Sequence, residues 1–129
     1  VSHVFEYALL RAVPRQERGE FMNVGVLLYC PPLDYLRCRT HVDEARLRAL
    51  DPGIDLEMLN DSLRLWCGAC DGSTAAQVRH TTLGQRFRWL TAPRSTLLQT
   101  SPTHTGHTER PDDDLDRLWR TLVLVPNSR

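Results

Sequence analysis

Two stretches of this chain concentrate residues that could do chemistry. The first is Arg15, Glu17, Arg18 and Glu20, four ionised side chains packed into six residues between two apolar runs. A simple turn would carry Asn, Gly or Ser there, and a loop so dense in charge is a candidate working surface. Asn23 follows inside an apolar run, where a buried amide must find partners. Gly25, just beyond, permits close backbone approach. The second stretch is Arg94, Ser95 and Thr96, held by Pro93 and followed by Gln99, Ser101, His104 and His107. A guanidinium beside two hydroxyls suits a phosphate or carboxylate. The plainer alternatives are surface salt bridges in the first stretch, each worth about 0–1 kcal/mol. In the second, hydroxyls could simply cap local backbone.

The elements that must position these residues are readable from the pattern. Val4 to Val13 alternates as a strand, with Phe5, Tyr7 and Leu9 on one side. Phe21 to Cys30 reads as a second strand, with Met22, Val24, Val26 and Leu28 on one face. Pro14 ends the first, and Gly19 supplies the positive φ of the connection. Tyr35 to Thr40 makes a shorter third strand after Pro31-Pro32. Asp43 caps a helix to Leu50, and Asp55 caps a longer one with Leu56, Leu59, Leu63, Trp66 and Cys70 on one stripe. Residues 71–84 read as an irregular connection.

Gln85 to Thr91 alternates as a strand, placing Phe87 and Trp89 in the core, and Thr96 to Thr100 resumes it. Ser101 to Arg110 reads as loop. Asp112 to Val123 is a helix: Pro111 and three acids suit its N-terminus, and Leu115, Leu118, Trp119 and Leu122 form its buried stripe. The fold class expected is α+β, a single domain over residues 1–129. It has an antiparallel sheet of about four or five strands with helices mainly on one face.

Composition narrows the chemistry. The 129 residues carry zero formal net charge, so no global field draws the chain to nucleic acid or anionic membrane. All 16 basic residues are arginine, which rules out Schiff-base or P-loop lysine chemistry in this sequence. Any anion it holds is held by guanidinium. No run approaches the roughly 20 apolar residues of a membrane span. Val1 to Leu10 alternates in polarity and contains Glu6, unlike an export signal, so a cytoplasmic location with reduced thiols is expected.

The four cysteines allow two readings. Cys67-Gly-Ala-Cys70 has the C-x2-C spacing of a zinc ligand pair, and Cys30 and Cys38 could complete the set. Against this, the second pair is widely spaced and Cys70 falls on an apolar stripe, where cysteine behaves as a small hydrophobe. A redox pair of the thioredoxin type lacks its βαβ context. The expectation is no metal and no cofactor. His104 could serve Ser95 or Ser101 as a base, but no nucleophile elbow accompanies it.

The stretches ALLRAVPRQERGEFMNVGVLLYCP and RFRWLTAPRSTLLQTSPTHTG together resemble the two signature blocks of the bacterial domain-of-unknown-function family 3037. The resemblance carries across Arg15, Glu17, Arg18, Gly19, Glu20, Asn23, Gly25, Pro93, Arg94, Ser95, Gln99, Ser101, His104 and Gly106. It implies no activity. It does imply a partner, a HipA-type kinase-like protein encoded nearby. It also makes the two blocks candidates for one surface, with Glu17 or Glu20 orienting Arg94.

The function expected is a non-catalytic binding or adaptor module gripping an anionic or peptide-like group through Arg18 and Arg94. The alternatives are a small enzyme acting on a phosphorylated or acylated substrate, with Glu17, Glu20 or His104 moving protons, and a weak single-stranded nucleic-acid binder using Arg86, Arg88, Trp89 and Arg94.

Overall fold

The computed structural model describes residues 1–71, 82–94 and 96–125. Its chain order is β1 (His3–Ala12), a 3-10 turn Gln16–Arg18, β2 (Met22–Cys30), a second 3-10 turn Pro31–Leu33 and β3 (Tyr35–Thr40). Helices α1 (Glu44–Leu50), α2 (Leu56–Asp71) and α3 (Leu83–Leu90) follow, then β4 (Leu98–Thr100), β5 (His104–Thr108) and α4 (Pro111–Leu122). The five strands form one antiparallel sheet in the order β3-β2-β1, with β4 and β5 both paired to the far side of β1.

Why β4 and β5 share an edge is visible at Ser101. β4 covers Leu10 to Ala12 and β5 covers His3 to Tyr7. Between them the Ser101 N–H donates to the Leu9 carbonyl, and the Leu9 N–H donates to Ser101 Oγ, both at 2.9 Å. The hydroxyl replaces a missing backbone acceptor, so the ladder runs on through a break in the strand.

The α+β expectation holds, and the helices divide unevenly between the two faces. Leu47, Leu59, Leu63, Trp66, Phe87 and Leu90 from α1, α2 and α3 pack on Leu10, Ala12, Val24 and Leu27. Leu115 and Leu118 of α4 pack with Val123 on Phe5, Leu9, Val26 and Leu28 across the sheet. Burying each such aliphatic chain contributes about 1.5–3 kcal/mol. The expected caps are present: Asp43 Oδ1 accepts from the Arg46 N–H and Asp55 Oδ1 from the Met58 N–H.

Three expectations are corrected. Residues 85–91 belong to helix α3 rather than a strand. Thr82 Oγ1 accepts from the Gln85 N–H while Gln85 Oε1 accepts from the Thr82 N–H, a reciprocal cap that starts the helix. Phe87 and Leu90 then turn inward one helical step apart, and Trp89 is 50% exposed instead of sharing the core with Phe87. Residues 104–108 are strand β5 rather than loop, because β1 offers a free row of backbone groups to pair with. Finally, β2 does not keep one alternation. Leu10 pairs with Gly25 and Arg11 with Asn23, leaving Val24 as a bulge. Met22 and Val24 therefore face α1–α3, whereas Val26 and Leu28 face α4. The connection expected over 71–84 falls largely outside the described residues.

Candidate functional site

The charged loop is a short 3-10 turn closed by Gly19 at φ 67°. A side chain at Gly19 would be strained by that backbone angle. Arg18 forks onto Glu20, with Nε at 2.6 Å from Oε1 and Nη2 at 3.1 Å from Oε2. That fork holds Glu20 below the usual carboxylate value and Arg18 above the usual guanidinium value, its hydrogen bonds being the larger cause in both. Arg15 lies 3.7 Å from Glu17 and 3.6 Å from the mostly buried carboxylate of Asp51 beyond α1. The loop's charge is thus paired within itself or to its nearest neighbour.

Arg94 is engaged with the end of α3. Nη1 donates to the Leu90 carbonyl at 3.0 Å and Nη2 to the Trp89 carbonyl at 2.6 Å. These are among the terminal carbonyls that a helix leaves without intrahelical partners. The guanidinium also lies 4.8 Å from the ring centroids of both Trp66 and Trp89. Burial between the rings lowers its pKa. The expected carboxylate partner, Glu17 or Glu20, is instead engaged by Arg15 or Arg18. Ser95 lies outside the described residues. His104 sits on β5 with its ring 5.2 Å from that of Tyr7, and Ser101 is the buried ladder bridge described above.

The two blocks do meet, through amides. Gln99 Nε2 donates to Gln16 Oε1 at 2.7 Å, and both Gln99 and Gln16 donate to the Thr96 carbonyl, at 2.9 and 3.0 Å. The Val13 N–H reaches the Leu97 carbonyl at 2.7 Å beside them. The register then aligns Gln99, Arg11 and Asn23 directly across β4, β1 and β2. Opposed residues of an antiparallel pair share a face, so these three form a polar row on the α4 side.

Two atoms of that row are buried without partners: Arg11 Nε and Asn23 Oδ1. Asn23 Nδ2 donates to the Leu122 carbonyl at 3.1 Å, which fixes the amide orientation and leaves Oδ1 as the open acceptor. The Arg11 guanidinium covers the Phe21 ring at 4.1 Å. Leaving a buried polar atom unmatched costs about 1–3 kcal/mol, a cost that a ligand or ordered water could offset.

Asn23 also lines a recess of about 390 Å³. It opens because β3 ends at Thr40, opposite Gly25, while β2 continues outward to Met22. Met22 and Asn23 form the floor, Arg46 and Leu50 of α1 one wall, and Leu122 and Leu124 at the end of α4 the other. The exposed Arg46 guanidinium forms no ion pair with a described residue. The recess therefore combines apolar walls, a lining amide whose oxygen is buried without a partner, and a cation with no ion-pair partner among the described residues.

A family model described as "Protein of unknown function (DUF3037)" matches residues 7–123. The chain belongs to this family. No curated protein and no solved structure matches it. The DUF3037 match runs from the middle of β1 to the end of α4, and so takes in both halves of the Gln16–Gln99 junction and the recess floor.

Arg11 and Arg46 were not singled out from sequence. Arg11 carried a signal, as a charged residue in register with the inward Phe5, Tyr7 and Leu9. Arg46 carried none, because only the shortness of β3 turns an ordinary helix-surface arginine toward a recess.

Proposed function

We propose that this domain is a non-catalytic binding or adaptor module, and that it grips an extended peptide-like segment bearing a carboxylate in the recess that Asn23 lines. The observation that carries this reading is the unpartnered Asn23 Oδ1, buried just behind the surface of that recess. A peptide N–H would supply its missing donor once the Asn23 amide turns or its neighbours part to expose the oxygen. Arg46 would take the carboxylate, and Leu50, Leu122 and Leu124 would cover an apolar side chain. A volume of about 390 Å³ suits a few residues of chain.

In this reading Arg18 and Arg94 do not touch the ligand. Their guanidinium groups are taken by Glu20 and by the α3 carbonyls, so they shape the surroundings. The HipA-type kinase-like protein implied by the family resemblance is the first partner to try, through a segment of this chemistry. No helix among the described residues is long and apolar enough to cross a membrane.

Selection of a phage-displayed random peptide library against the domain tests the proposal. Selected peptides should carry an acidic group, bind by fluorescence polarisation, and lose at least tenfold in affinity on Arg46→Glu and on Asn23→Leu. Peptides that bind both variants like the wild type would place the binding surface elsewhere.

A further inference from the structure

On the α1–α3 side, away from the recess that Asn23 lines, three thiols converge. Cys38 of β3 and Cys67 of α2 have their Sγ atoms 2.9 Å apart. Cys70, one helical turn further along α2, also reaches Cys38. Sulfurs in ordinary contact stand wider apart than this, and a disulfide needs about 2.05 Å. A movement of roughly 0.9 Å would therefore join Cys38 to Cys67. Both are half-buried and line a recess of about 410 Å³ with Arg37, Leu83 and Arg86, so a small reagent can reach them. Cys70 also borders this recess but is itself buried, as is Cys30.

We propose that Cys38 and Cys67 are a thiol modification site that closes to a reversible disulfide, pinning β3 to α2, when the chain meets a low-molecular-weight disulfide such as oxidised glutathione.

The helix excludes the simpler C-x2-C pairing. Cys67 and Cys70 lie three residues apart in an intact α-helix, where Cβ atoms stand about 5–6 Å apart. A disulfide holds them near 3.8 Å, so closing that pair would require α2 to unwind. Cys38 approaches from another element and meets Cys67 with α2 intact. The order of events follows from the surroundings. The neighbouring thiols of Cys67 and Cys70, together with burial, hold the Cys38 pKa well above the ordinary thiol value. Cys38 therefore holds its proton tightly, and the first attack is assigned to Cys67, its contact partner on the same recess wall.

The Cys67 thiol gives its proton to solvent, and its thiolate attacks one sulfur of oxidised glutathione. That S–S bond breaks, and one glutathione thiolate leaves and is protonated. Cys38 then loses its proton and attacks Cys67 Sγ in the mixed disulfide, releasing the second glutathione as its thiol. Two protein thiols are oxidised by two electrons, and one small disulfide is reduced to two thiols. Dithiothreitol reverses the exchange.

The test treats the reduced wild-type protein with oxidised glutathione, alkylates the remaining thiols and maps linked peptides by mass spectrometry. The expected product is lighter by two hydrogens and has Cys38 joined to Cys67. Its thermal midpoint is raised and falls back on reduction. Cys30→Ser and Cys70→Ser should each still form the same link, whereas Cys67→Ser should not yield it. A Cys67–Cys70 link in the wild type would overturn the proposal. So would a glutathione adduct that never resolves, four thiols that stay reactive, or stoichiometric zinc held by these thiols in the purified protein.

Discussion

The side-chain amides of Gln16 and Gln99 meet at 2.7 Å across 83 residues of sequence, and both also bind the Thr96 carbonyl. This junction, rather than any pairing of guanidinium groups, joins the charged loop to the rear half of the chain. A net hydrogen bond contributes about 0.5–1.5 kcal/mol. A double-mutant cycle of Gln16→Ala and Gln99→Ala, followed by urea unfolding, should therefore return a coupling of about 1 kcal/mol. Additive losses would mean that the amides do not cooperate.

Arg94→Ala should destabilise the domain by about 1–3 kcal/mol, by uncapping α3 and emptying the space between Trp66 and Trp89. Arg94→Lys should recover only part of the loss, since an ammonium cannot reproduce the planar fork between two rings. Unfolding curves that match the wild type would free Arg94 for a ligand role.

Gly106 lies under the Phe5 ring on the paired strand. A Cβ there would stand 2.6 Å from the ring's Cζ, and Phe5 is itself buried against α4. Gly106→Ala should cost about 1–3 kcal/mol by overpacking. Phe5→Leu, made on top of it, should cost less than it does in the wild type. Equal losses in both backgrounds would show that the ring moves aside freely.

Glu20 titrates low because Arg18 hydrogen-bonds its carboxylate. Removing that partner by Arg18→Gln should raise the Glu20 pKa toward the ordinary carboxylate value, as read by side-chain NMR against pH. Because the folded pKa is the depressed one, the fork's contribution exists above the unfolded carboxylate pKa. It disappears as pH falls through the folded one. The pair is solvent-exposed, so the change should be local, leaving the midpoint of global unfolding nearly constant. A Glu20 pKa unchanged by Arg18→Gln would contradict the fork.

Much of the architecture was legible because its signals are local. Pro111 and three acids announce α4, Asp43 and Asp55 announce α1 and α2, and Gly19 marks the turn. What misled was periodicity over short windows. Arg86, Phe87, Arg88 and Trp89 alternate like a strand, yet Thr82 and Gln85 already spell a helix cap, and Phe87 with Leu90 fits a helical step. His104 to Thr108 is too polar to read as strand, because its pairing rests on the backbone edge of β1.

The site was half legible. Asn23 and Gln99 stood out as polar residues, but the Val24 bulge that aligns Asn23 with Arg11 breaks the alternation on which facing is judged. The recess depends on where β3 stops, and no residue type announces that.

The most direct measurement is amide chemical-shift mapping of the isotope-labelled domain, titrated with a selected acidic peptide. Shifts should concentrate at Met22, Asn23, Arg46, Leu50 and Leu122, and should vanish at the same peptide concentration in Arg46→Glu. Shifts confined to Arg15–Glu20, Arg94 and Gln99, with the recess residues unmoved, would contradict the assignment of binding to Asn23 and Arg46.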